Sequence, residues 1–277
     1  MTQSWTPPSV VVGIDGSRAA VGAALWAVDE AIGRGMSLRL LSAAESDARR
    51  ETAEAAVRSA AAAVESSGRS DLPEVQTAVV TASPAAVLLE ASHAAAIICV
   101  GLVGLRHFDP ARRGSTVGAL LAAPRCPLAV VRSGKRPASA RPGWVVAELN
   151  QAQDGAAVLQ SAVDEARMRG APLRVLGTWQ SGDHGSQSAS ESDRLVRTQL
   201  DRRLETWAHR YPDLDVTPVA VRGSGLAYLA DNAGSIQLVV IGAHNTAGVG
   251  ELLGPAGLAA LHDTDCSVLV VDAQRML

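Results

Sequence analysis

Along the chain, short unbroken apolar runs alternate with longer stretches in which apolar residues return every three or four positions. SVVVGID, LRLLSA, VQTAVV, AIICVGL and LAVVR are the runs of the first half. Runs without a polar face predict strands of a parallel sheet covered by helices on both sides. Between the first two, Ala24, Leu25, Val28, Ala31 and Ile32 recur at helical spacing, and Gly35 ends that helix. Glu51 to about Ser66 is an alanine-rich helix; SPAAVLLEASH places Pro84 at a helix start, where its missing N–H does no harm; a further helix follows Gly114. Strands alternating with helices predict an α/β fold with right-handed crossovers.

The pattern then repeats. VVGIDGSRAAVGAALWAVDEAIGRGMSLRLL from Val11 aligns with VAELNQAQDGAAVLQSAVDEARMRGAPLRVL from Val146, so that Asp29-Glu30-Ala31 falls on Asp164-Glu165-Ala166, an offset of 135. Further on, Val100-Gly101 falls on Ile241-Gly242 at 141, which assigns six extra residues to the second copy, best placed in the polar stretch SGDHGSQSASESD. Cys126 falls on Cys266 at 140, so one residue is missing between Gly101 and Cys126 in the second copy. RSGKRPASARPG, rich in Pro, Gly, Ser and basic residues, reads as an exposed linker. The predicted organisation is a first domain over 1–132, a linker over 133–143 and a second domain over 144–277.

Composition narrows the function classes. The chain has 277 residues, 47% of them hydrophobic, and a net charge of −3, which gives no electrostatic case for nucleic acid or an anionic membrane. The start, MTQSWTPPSVVVGID, lacks the layout of a signal peptide, and no stretch approaches the roughly 18 apolar residues of a membrane span. The expectation is a cytoplasmic protein. Cys99, Cys126 and Cys266 lie in or beside apolar runs, as buried thiols of a reducing compartment rather than a disulfide framework.

Candidate chemistry concentrates in GLVGLRHFDPARRGST, residues 101 to 116. In open parallel sheets ligands bind beyond the carboxyl ends of the strands, where strand order reverses. Gly101 ends the fourth strand, Gly104 follows, and Gly114-Ser115 opens a helix whose first N–H groups attract phosphate. Ser115 and Thr116 can cap that helix or bond a phosphate oxygen, and Arg112 and Arg113 add positive charge. On spacing alone the loop is either a polyphosphate cradle or a plain strand-to-helix connection. No GxxxxGK[ST] and no strand-associated GxGxxG occurs.

With VVVGIDGS on the first strand, WAVDEA and RG on the first helix, VGLVGLRHFDPARRGST and CPLAVVR, the chain resembles the universal stress protein family in its tandem two-domain form. The family's ATP signature, G-2x-G-9x-G-[ST], is met by Gly101, Gly104, Gly114 and Ser115; Val103 and RHFDPARR depart from its usual filler. The resemblance implies two tandem Rossmann-like domains, each a five-stranded parallel sheet flanked by helices. It further implies ATP, alone or with Mg, bound in the first. Carried over, Gly13 leaves room beside the ligand, Asp15 and the backbone near Ala43 face the adenine and ribose, Gly101 and Gly104 line the ribose and phosphates, and Arg113, Gly114, Ser115 and Thr116 hold the phosphates. For Asp15 the alternative is an exposed loop residue capping the next helix.

The second copy departs from this pattern. Asp15 becomes Asn150, Gly13 becomes Glu148, Gly104 becomes Asn245, and Gly114-Ser115 becomes Gly254-Pro255, where proline removes a backbone donor. The second domain is therefore expected to bind ATP poorly or not at all. His107, His244 and His262 show no metal-ligand spacing and read as surface or loop residues; the Asp29-Glu30 and Asp164-Glu165 pairs read as solvated helix faces. The implied function is that of a regulatory ATP-binding stress protein with at most slow hydrolysis; the alternative is a nucleotide-independent protein–protein interaction module. Homodimerisation through LAVVR or SVLVVDA, edges otherwise exposed, and an unidentified protein partner are expected by the same resemblance.

Overall fold

A computed structural model of the chain describes residues 8–102, 116–123, 125–132, 142–149, 155–180, 189–261 and 264–272. The chain divides into two compact units, Met1–Ser133 and Gly134–Leu277. Most of the expected linker, residues 133–141, lies outside the described residues.

The first unit runs β1 (Ser9–Gly13), α1 (Arg18–Arg34), β2 (Leu38–Ala43), α2 (Asp47–Glu65), β3 (Val75–Val80), α3 (Pro84–Ala91), β4 (Ala95–Gly101), α4 (Thr116–Ala122) and β5 (Leu128–Val131). Its strands lie in the order β3-β2-β1-β4-β5, every neighbouring pair parallel. Val10, Val12, Leu38, Leu40 and Ile97 have no exposed surface, as strands sandwiched between helix layers require. Strand order reverses between β1 and β4, which opens a crevice at their carboxyl ends.

Helix ends follow local chemistry. Ser17 caps α1 by accepting from the Ala20 N–H at 3.1 Å, and Gly35 closes it at φ 62°, a left-handed conformation that glycine adopts without a Cβ penalty. Ala20, Ala23, Ala24, Ala27 and Ala31 face the sheet and let α1 lie close to it. Ser83 caps α3, with Pro84 in its first turn. The helix expected from Glu51 begins four residues earlier, at Asp47, because Ser46 supplies an extended capping position and Asp47 favours the positive end of the helix.

The second unit repeats the plan: β6 (Trp144–Leu149), α5 (Gly155–Met168), β7 (Leu173–Trp179), α6 (Ala189–Arg210), β8 (Val216–Arg222), α7 (Gly225–Asp231), β9 (Ile236–Gly242), α8 (Thr246–Leu253), α9 (Pro255–Ala260) and β10 (Ser267–Val271). Within the unit the order is β8-β7-β6-β9-β10, again parallel. Gly254 and Gly257 serve the bend between α8 and α9: a Cβ at either would stand 2.3 Å from the Gly250 carbonyl oxygen or 2.2 Å from that of Leu252. The glycine surviving from the first copy's Gly114 is thus consumed by helix packing, with Pro255 opening α9 as its missing N–H allows.

The reading of both acidic pairs as solvated faces holds for one member of each and is corrected for the other. Glu30 and Glu165 are buried, at 0% and 1% exposure. Each is paired one turn on, Glu30 with Arg34 and Glu165 with Arg169 at 2.9 Å, as a carboxylate removed from water requires. Asp29 and Asp164 face outward, the former against Arg69 and the latter accepting from Gln160 at 2.8 Å. The three cysteines are buried and none is in a disulfide. Among the described residues no helix is long and apolar enough to cross a membrane.

Candidate functional site

The carboxyl ends of β1, β2 and β4, flanked by α2 and α3, surround a cavity of about 470 Å³. Its walls are apolar at Ile14, Leu41, Val87, Leu88 and Val100; Asp15, Glu45, Arg49, Thr52 and Thr116 supply its polar lining. Gly13, Ala43 and Gly101 also line it.

Each sequence-derived position has a distinct structural cause. At Gly13 a Cβ would stand 2.9 Å from Leu88 Cδ1, so the absent side chain keeps β1 clear of α3. At Gly101 a Cβ would sit 2.3 Å from the Ala19 carbonyl carbon, inside the first turn of α1. The close approach of α1 to β4 demands this glycine whatever the cavity holds. Asp15 is exposed, and its Oδ1 accepts from the Ser17 N–H at 2.9 Å across Gly16, which has φ 83°. Asp15 therefore both organises the β1–α1 turn and lines the cavity. Thr116 begins α4. Gly104, Arg113, Gly114 and Ser115, with Val103, His107 and Arg112, lie outside the described residues.

Glu45 and Arg49 were not singled out by the motif. They follow β2, face each other at 3.5 Å, and Arg49 carries the positive charge among the described lining residues. Their signal was position: they open the helix after a strand whose carboxyl end borders the crevice.

In the second unit a carboxyl side chain stands where the first unit has only a glycine. Glu148, at the place of Gly13, is 8% exposed. Asn245 Nδ2 donates to its Oε1 at 3.3 Å, and Gly225 faces it without a side chain, where a Cβ would stand 3.0 Å from Oε2. Burial raises the carboxyl of Glu148 above the ordinary carboxylate range; the Asn245 hydrogen bond opposes that shift and the charge of Glu251 adds to it. Asn150, aligned with Asp15, and His262 lie outside the described residues; His244 is half-exposed, 4.0 Å from Asp272. Among the described residues no group of three His, Cys, Asp or Glu side chains is placed to hold a metal.

Doubly wound parallel sheets with a crevice at the strand-order reversal define the Rossmann-like class of α/β proteins. The model of the universal stress protein family matches residues 8–132 and again 146–272. A universal stress protein of Mycobacterium tuberculosis is 42% identical over 287 aligned residues that cover all of both chains, and a second from that organism is 38% identical with 97% of each covered. A crystal structure of a universal stress protein from Archaeoglobus fulgidus shares the fold at TM-score 0.68 and 14% identity, covering 97% of this chain and 99% of that one. The cytoplasmic domain of a prokaryotic cation chloride cotransporter also shares it, at TM-score 0.53 and 11% identity, with 98% of each chain covered. The chain belongs to the universal stress protein family, in the form with two tandem domains, and shares its stress-response role.

Proposed function

We propose that the chain is a regulatory adenine-nucleotide-binding stress protein whose first unit takes one ATP. The observation that carries this reading is the open cavity beside Gly13 in the first unit, where the second unit has the buried side chain of Glu148 instead. The open cavity has the size of a small-molecule site, within the roughly 300–1,000 Å³ range. Its chemistry fits adenosine: Leu41, Val87, Leu88 and Val100 suit a flat base, and Asp15 accepts from a hydroxyl or exocyclic amine. Bound ATP would supply a polyphosphate charge whose strength depends on the phosphates carried. Gly104, Arg113, Gly114, Ser115 and Thr116 are the residues this reading assigns to it. The likeness to a transporter's cytoplasmic domain shows that the fold alone does not choose a function; the site must.

Regulation, not turnover, is the role this reading assigns to nucleotide, with at most slow hydrolysis. The test is to purify the chain without added nucleotide, denature it, and quantify released adenine nucleotide by mass spectrometry beside Asp15→Ala. About one ATP per chain, lost in the variant, supports a single working site. No nucleotide, followed by no binding in titration, overturns the reading and supports the nucleotide-independent interaction module.

A further inference from the structure

We propose that the second unit has converted its cleft from a ligand site into a proton-responsive latch, in which the buried carboxyl of Glu148 titrates and the starts of α7 and α8 respond. Three positions have changed together. The first unit has a small residue on the strand, Gly13, against Leu88 of α3, with Pro84 of that helix lining the same cavity; the second has Glu148 on the strand against Gly225, at the 141 offset from Pro84. Asn245, aligned with Gly104, supplies the donor that the inserted carboxyl needs.

The carboxyl is bonded to one helix start and packed against another. Asn245 donates to Glu148 and, through Oδ1, accepts from the Gly248 N–H at 3.1 Å as the N-cap of α8. Ser224, the N-cap of α7, accepts from the Leu226 N–H at 3.0 Å and donates its hydroxyl to Glu251 Oε1 of α8 at 2.6 Å. Two separate bonds thus hold α8, one to β6 through Asn245 and one to α7 through Ser224, and Gly225 of α7 packs directly on the Glu148 carboxyl.

The groups around Glu148 decide the response. The flanking strands place Leu176 of β7 and Ile241 of β9 in register with it, and α7 faces it with Gly225. From α8 come the neutral amide of Asn245 and the carboxylate of Glu251. An ionised Glu148 is thus a buried charge whose charged neighbour has the same sign, a costly arrangement. Burial, with Glu251 adding, raises its folded-state pKa above the unfolded value. Its contribution to stability is therefore complete at acid pH and is lost as pH rises through the folded value. Deprotonation strengthens the Asn245 bond but leaves a buried charge beside Glu251; burial is the larger effect, so the net result of deprotonation is to loosen α7 and α8.

Hydrogen exchange on the full chain, followed over residues 225–231 and 246–253 and corrected for the intrinsic pH dependence of exchange, tests this. Protection should fall as pH rises through the folded-state value of Glu148. Glu148→Gln, a neutral mimic that keeps an acceptor for Asn245, should give the same protection at every pH. Glu251→Gln should move the midpoint of the wild-type transition to lower pH. Protection independent of pH in the wild type, or unchanged pH dependence in Glu148→Gln, would overturn the proposal. Should Glu148→Gln not fold, the Glu251→Gln midpoint decides: a shift supports the latch and an unmoved midpoint overturns it.

Discussion

Asn245, at the start of α8, donates its side-chain N–H to the buried carboxyl of Glu148 on β6 at 3.3 Å. The same residue caps α8 through its Oδ1. Asn245→Ala removes a cap and leaves a buried carboxyl short of a donor. The expected cost is about 1–3 kcal/mol, concentrated in the second unit and measured by urea denaturation.

Gly225 and Glu148 should be energetically coupled. Gly225→Ala places a methyl 3.0 Å from Glu148 Oε2, an overpacking expected to cost about 1–3 kcal/mol. In a Glu148→Ala background the same change meets space, and the better helix propensity of alanine should make it neutral or stabilising. A double-mutant cycle with an interaction energy below about 0.5 kcal/mol would show that the two positions are independent.

Gly101→Ala should destabilise the first unit by about 3 kcal/mol or more. The intruding atom meets the Ala19 and Ala20 backbone, which cannot rotate away as a side chain can. Thermal unfolding without nucleotide reads this directly, and an unchanged midpoint would show that α1 shifts freely against β4. Any accompanying loss of nucleotide affinity would then be secondary to the backbone displacement.

Asp15→Asn separates the two duties of that side chain. Asparagine retains an oxygen to accept from the Ser17 N–H, so stability should change by less than about 0.5 kcal/mol. If the carboxylate contacts the ligand, ATP affinity should fall about tenfold, the loss of one charged hydrogen bond. Wild-type affinity in Asp15→Asn would leave the residue only its turn-forming duty.

Apolar runs made the central strands legible, since residues hidden on both faces leave no polar alternation to misread, and LRLLSA coincides with β2. VQTAVV coincides with β3 as well, but that edge strand buries none of its residues fully and exposes Gln76 and Thr77. Gly35 and Ser83-Pro84 were equally readable, because a left-handed cap and a proline start each have a single local cause. Glu30 and Glu165 were misread because an acidic residue is exposed by default; Arg34 and Arg169, one turn on, were the clue to burial. The replacement of Gly13 by Glu148 was visible as a loss of ligand space. Its stabilisation by Asn245 and accommodation by Gly225 was not, because three segments distant in sequence meet only in the fold. Glu45 and Arg49 escaped for a related reason: they follow β2 and meet the carboxyl ends of β1 and β4 only in the fold.

The pairing of Glu148 with Gly225 also limits which substitutions the second unit tolerates. Glycine at 148 alone would leave Asn245 without its acceptor and a hollow beside Gly225; proline at 225 alone would press its ring on the carboxyl. Each single change should lower stability, so Glu148, Gly225 and Asn245, far apart in sequence, are bound to one another as a set that tolerates exchange only together.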